Sequence, residues 1–182
     1  MSKTRISMDI DGVLNVDPPN GALPPHWPEE SWRINQIACL PSRGFAVRVT
    51  YSTAAMDALR TIEALPGVDV WWCTTWEEYA HAEFAPVVGI GGGWMYVEKG
   101  SQPVDVDWWK AAAVRGALDE GYRVVWLDDE IGDWVRDADP DETAWLGDLN
   151  ALAICPSPWT GILPEHIGAI KRFVATGEKP QP

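Results

Sequence analysis

Asp9 and Asp11 stand one residue apart at the end of a short run, Ile6-Ser7-Met8, and Gly12 follows them directly. Residues i and i+2 of an extended chain project to one side, so both carboxylates address one small space. Two anions that close repel each other unless a divalent cation or a shared proton offsets the repulsion. Adjacent carboxylates recur at Asp128-Asp129, after the apolar run Arg123-Val-Val-Trp-Leu127. Thr74 offers a hydroxyl at the tip of a third such run, Val68-Asp-Val-Trp-Trp-Cys73. Lys110 falls in the first turn of a predicted helix, where an ammonium opposes the macrodipole and a bound phosphate would make it favourable. Paired carboxylates and a helix-start ammonium together suit a bound cation and a bound phosphate.

Each part also has a plainer use. A calcium loop would place acids at its first, third and fifth positions with glycine sixth, whereas Gly12 comes straight after the second aspartate and a strand precedes it. Acids after a strand cap helices, but two adjacent ones exceed what a cap requires. Thr75 with Glu78 predicts a capping box for a helix of about two turns, which leaves Thr74 at the strand tip. Lys110 as a surface lysine, and Lys99 in its role, both stay open. The acidic run from Asp137 to Glu142 lacks the sixth-position glycine and reads as solvated surface. His26, His81 and His166 show neither ligand nor triad spacing. Trp71, Trp72 and Trp126 read as core, while Trp76, Trp108 and Trp109 flank the motif residues and fit either packing or a pocket wall.

The segment Asp9-x-Asp11-Gly12-Val13 at a first strand end resembles the opening motif of the haloacid dehalogenase-like superfamily. Thr74, Lys110 and Asp128-Asp129 resemble its second, third and fourth motifs in order, with Asp133 at a spacing that fits longer forms of the fourth. The resemblance implies a nucleophile at Asp9 and an acid/base at Asp11. It implies a phosphoryl-oxygen contact from Thr74 and charge neutralisation by Lys110. It further implies Mg²⁺ held by the Asp9 carboxylate, the Asp11 backbone carbonyl and Asp128, with Asp129 as a ligand or an acceptor for metal-bound water. The presence of Asp11 disfavours the dehalogenase branch. The phrases Trp72-Cys-Thr-Thr-Trp-Glu77 and Cys155-Pro-Ser-Pro-Trp-Thr-Gly-Ile-Leu-Pro-Glu165 are similar to an actinobacterial and phage-associated group of these domains, related to those of RNA-repair proteins.

The elements that must position these residues follow from periodicity. Residues 15–44 are rich in Pro, Gly and Asn and read as loop with short strands. Phe45 to Thr50 alternates, with Phe45, Val47 and Val49 on one face and Arg48 and Thr50 on the other, which predicts a hairpin flap over the Asp9 end of the sheet. Ser52 caps a helix carrying Met56, Leu59, Ile62 and Leu65, stopped by Pro66-Gly67. Trp94 to Val97 reads as a short strand. Asp107 caps a helix from Trp108 to Asp119 closed by Gly121, Ala151 to Cys155 is a last strand, and Pro164 opens a last helix with Ile167, Ile170, Phe173 and Val174 inward.

Strands alternating with helices predict an α/β Rossmann-like three-layer sandwich with a mainly parallel central sheet, ligands binding at the strands' carboxyl ends. One domain is expected over residues 1–177, with a flap insert at 15–50, no large cap domain, and a disordered tail at 178–182.

A net charge of -13 over 182 residues argues against a general polyanion-binding surface. Arg33, Arg43 and Arg48 in the flap are candidates for a local phosphodiester contact. Cys39, Cys73 and Cys155 are odd in number and scattered, as reduced thiols of a cytoplasmic protein would be. Neither a signal peptide nor a membrane span is evident. The expected activity is a Mg²⁺-dependent phosphatase acting through an aspartyl-phosphate on a nucleotide or polynucleotide end phosphate. A small-metabolite phosphatase and a catalytically silent phosphate-binding domain are the alternatives.

Overall fold

The computed structural model describes residues 3–37, 46–101 and 108–180. The first strand, β1 (Thr4–Met8), is followed by an antiparallel hairpin of β2 (Trp32–Ile37) and β3 (Val47–Ser52), then by α1 (Thr53–Glu63) and β4 (Val68–Trp72). A π-helical turn (Ala80–Phe84) runs into α2 (Ala85–Val88), and β5 (Met95–Tyr96) and α3 (Trp109–Asp119) come next. The chain ends with β6 (Arg123–Leu127), α4 (Ile131–Asp137), α5 (Pro140–Thr143), β7 (Ala151–Ile154) and α6 (Pro164–Thr176).

Five of these strands form one parallel sheet in the order β5-β4-β1-β6-β7, flanked by helices as in a Rossmann-like sandwich. The chain builds outward from β1 to β4 and β5, then crosses to β6 and β7 on the other side. That reversal opens a crevice at the carboxyl ends of β1 and β6, where ligands of open α/β sheets bind.

Alternation along the strands feeds two cores. Ile6 and Met8 of β1 pair with Val70 and Trp72 of β4 and with Val125 and Leu127 of β6. Together they face Met56, Leu59 and Ile62 of α1 and Ile170 and Phe173 of α6. The opposite face sets Val124 and Trp126 against Ala111, Val114 and Ala117 of α3. Trp108, Trp126, Trp134 and Trp145 gather there with ring centroids 4.9 to 6.3 Å apart. Trp71 departs from the core expectation: it is half-buried, and the Arg5 guanidinium lies over its ring at 4.3 Å.

Ser52 caps α1 as expected, its Oγ accepting from the Ala55 N–H at 3.3 Å. The box at Thr75 and Glu78 does not appear among the described hydrogen bonds: Thr75 is exposed, and Glu77 takes a left-handed φ of 47°. The helix that follows is longer than two turns. It widens to π spacing where Ala85 bonds the Ala80 carbonyl, just before Pro86, which has no N–H to give. Leu65 ends up half-buried beyond α1, and Gly121 closes the helix before β6 with φ 88°. Asp107, Phe45, Arg43 and Cys39 lie outside the described residues.

The hairpin is tied down rather than free-standing. Val47, Val49 and Tyr51 are buried, and Tyr51 donates its hydroxyl to the Val87 carbonyl at 2.8 Å. No helix of the described residues is long and apolar enough to cross a membrane.

Candidate active site

Three parallel strands deliver the site. The β1 backbone continues its pairing past Met8, the Asp9 N–H bonding the Leu127 carbonyl at 3.0 Å. This holds Asp9 beside the end of β6. Cys73 N–H bonds the Met8 carbonyl at 2.8 Å, which places Thr74 on the other side. Asp128, bonded through its N–H to Ile154 at 3.2 Å, completes the row. Asp9, Thr74, Lys110 and Asp128 are all buried.

Lys110, on the second residue of α3, reaches across to the strand ends. Its Nζ donates to Asp9 Oδ2 at 2.6 Å and to Asp128 Oδ2 at 2.7 Å. Asp9 Oδ1 accepts from the Ile10 N–H at 2.8 Å, and the neighbouring Thr74 hydroxyl favours the ionised form of this carboxyl. Asp128 Oδ1 accepts from the Glu130 N–H at 3.0 Å. Lys99, the alternative cation, instead gives its backbone N–H to Glu77 Oε1. An ammonium at a helix start is unfavourable alone. Two buried carboxylates are what favour it here.

Asp129 joins through a feature of the β1 loop. Asp9, Asp128 and Asp129 each present an oxygen within 4.8 Å of the others. Gly12 has φ 72°, and a β-carbon there would overlap the Asp129 carboxylate, so the loop needs glycine for conformation and for space alike. Fully ionised, three carboxylates against one ammonium would leave two negative charges in a largely desolvated spot. Burial pushes Asp9 upward against the pull of Lys110. Burial and then the Asp9 charge push Asp128 up to about 8 and Asp129 to about 6. Burial pulls the Lys110 ammonium down, but Asp9 and Asp128 more than offset it and leave it above its ordinary value.

This donor set fits a hard divalent cation: the ligands are all oxygen, and the charge deficit matches. An octahedral Mg²⁺ shell spaces neighbouring oxygens about 3 Å and opposite ones about 4 Å apart, and the three acids each bring an oxygen within 4.8 Å of the others. Such an ion would favour the ionised form of all three acids, against the burial that raises each and the Asp9 charge that adds to it at Asp128 and Asp129.

Asp11 is held elsewhere. Its Oδ1 accepts from Asn15 Nδ2 at 2.8 Å and its Oδ2 from the Trp76 indole N–H at 2.9 Å. The Asp11 side chain is thus not one of the three clustered carboxylates, and its metal role in the sequence reading remains one for its backbone carbonyl. The loop carrying it is wound tightly, with the N–H groups of Val13, Leu14 and Asn15 all directed to the Ile10 carbonyl. Asn15 is the contributor sequence reasoning passes over, because it reads as a loop residue; Trp76, which fits either packing or a pocket wall in the sequence, is brought to Asp11 by the turn after β4.

Other candidates lie apart. Asp133 is exposed and pairs with Arg136 at 2.7 Å. Arg33 bonds the carbonyls of Glu30 and Trp32. Trp108 packs in the tryptophan group with Lys110 Nζ 5.5 Å from its ring, and Trp109 is half-buried on α3. His81 stacks on Tyr96, and His166 Nδ1 accepts from Leu163 N–H at the start of α6.

No family model matches the chain, and neither a curated protein nor a solved structure matches it.

Proposed function

We propose that the chain is a Mg²⁺-dependent phosphomonoester hydrolase of the haloacid dehalogenase-like superfamily, acting through an aspartyl-phosphate on the end phosphate of a nucleotide or polynucleotide. The observation that carries this reading is the Lys110 ammonium bridging Asp9 and Asp128 beside Asp129 at the crevice of the sheet. A structural salt bridge needs one carboxylate. The third acid and the residual charge suit an ion and a phosphate.

Asp9, Asp128 and Asp129 would hold the metal, which when bound supplies charge neutralisation for the phosphoryl oxygens and the nucleophile. The chain's own groups do the rest. Lys110 and the Thr74 hydroxyl take phosphoryl oxygens and orient them. An Asp9 oxygen attacks phosphorus as the bond to the ester oxygen breaks, and Asp11 gives its proton to that departing oxygen. Water then attacks the aspartyl-phosphate and passes a proton to Asp11. Inorganic phosphate leaves, and the Asp9 carboxylate is restored. Trp76 and Asn15 fix the Asp11 carboxyl so that one group serves both proton transfers. The hairpin and short connections, with no large cap domain among the described residues, suit a substrate that stays partly outside.

The test is phosphate release from an aryl phosphate, mononucleotides, sugar phosphates and phosphorylated oligonucleotides, with Mg²⁺ or with chelator. The expected result is metal-dependent release that falls at least about 10³-fold in Asp9→Asn. Absence of release from folded, Mg²⁺-binding protein would leave a phosphate-binding domain in its place.

A further inference from the structure

A cavity of about 360 Å³ opens beside Asp11, walled by the β1 loop at Gly12 and Asn15, by Arg48 and Thr50 of β3, and by Pro158 after β7. Asp11 is the proton donor to the leaving group in the function proposed above and is part of this cavity's wall, so the cavity offers the leaving group room beside its donor. Among the described residues Arg48 is the one cationic side chain lining this cavity.

Strand alternation explains its aim. Val49 turns into the core, so Arg48 and Thr50 turn the other way, and Val47 completes the cavity's edge. Thr50 is bonded at both its N–H and its carbonyl to the β1 loop, which fixes that side of β3 against Asn15 and Val16. Arg48, two residues back, is exposed and makes no hydrogen bond or ion pair to a described residue. Asp11 and Asp17 line the same cavity, and the chain carries a charge of -13. A second anion on the substrate would be repelled there unless a cation received it.

Resting on the proposed phosphatase reading, we infer that this cavity is the leaving-group site. Arg48 makes the chain select phosphomonoesters whose leaving group carries a second anion: an adjoining phosphodiester or a second phosphate. Arginine suits the task because its planar fork matches two oxygens of one phosphate. A nucleoside monophosphate or a singly phosphorylated sugar has a neutral leaving group and leaves Arg48 unused.

The experiment compares kcat/KM for a 5′-phosphorylated dinucleotide with its methylphosphonate-linked isostere, which lacks only the internal charge. A nucleoside 3′,5′-bisphosphate is likewise compared with the 5′-monophosphate. The expected preference for the charged member is about tenfold, residing in KM, and falls to about one in Arg48→Gln while Arg48→Lys keeps part of it. A preference in the dinucleotide pair alone assigns the anion to a polynucleotide, and in the bisphosphate pair alone to a small metabolite. Equal rates within both pairs, or a preference that survives Arg48→Gln, overturn the inference while leaving the phosphatase reading intact. The same pairs are titrated calorimetrically against Asp9→Asn with and without Arg48→Gln, so that a protein without turnover still answers. Equal affinities there overturn it as well.

Discussion

Two clusters in this molecule share a formula, one cation within 3.0 Å of two carboxylates. Lys110 meets Asp9 and Asp128 at 2.6 and 2.7 Å; Arg136 meets Asp133 and Asp137 at 2.7 and 3.0 Å. Distance does not separate them. Side-chain exposure does: 7% or less in the first, 64% or more in the second. Water screens the surface trio, and holding three flexible side chains together opposes what attraction remains. Within the crevice the same charges are desolvated, and each depends on its partners. A carboxylate pair at a strand end therefore signals chemistry through what covers it, more than through its spacing.

The sharpest way to break this contrast is to remove each cation. Lys110→Met strands two buried carboxylates and should destabilise the protein by about 3 kcal/mol in urea unfolding without metal. Adding Asp128→Asn should restore part of that loss, because the repulsion goes with it. A Lys110→Met protein as stable as wild type would mean that the crevice is wetter than its burial states.

A smaller effect is the pH dependence. Burial raises Asp128 from 3.8 to about 8 and Asp129 from 3.8 to about 6, so the folded chain binds more protons than the unfolded one between those values. Stability of the metal-free protein should thus be greatest below about pH 4 as far as these groups decide it. It should decline as pH rises toward about 8. Saturating Mg²⁺ should reverse the decline, since it binds only the folded site. Melting curves from pH 5 to 8 with Mg²⁺ or chelator measure both, and identical slopes in the two series would refute the metal site. The smallest effect closes the comparison: Arg136→Gln should leave the melting temperature unchanged at physiological salt.

The strands that carry the site are legible because each apolar run ends in a polar residue that its own packing does not explain. Asp9, Thr74 and Asp128 need nothing beyond the sequence to be placed at strand ends, and the orphaned charge of Lys110 marks it among the lysines. Sheet order, and hence the crevice between β1 and β6, is a tertiary fact that no local pattern contains. β2 is hard to see because Trp32–Ile37 buries only its two ends and has a polar middle. The Thr75 and Glu78 box misleads because the left-handed Glu77 breaks the turn it requires. Trp71 misleads because a strand tryptophan packs equally well under a guanidinium at the surface.

Asn15 holds two things with one amide: its nitrogen donates to Asp11, and its oxygen accepts from the backbone of Thr50 in the hairpin. That chemistry has a lifetime. Hydrolysis of the amide to a carboxylic acid, the slow damage to which asparagine is subject, would turn the donor into an acceptor. Two carboxylates would then face each other across a gap now 2.8 Å wide. An aged molecule of this kind would keep its three clustered carboxylates and its sheet, yet lose the Asn15 hold on Asp11, and the proton transfers proposed for that group would fail first.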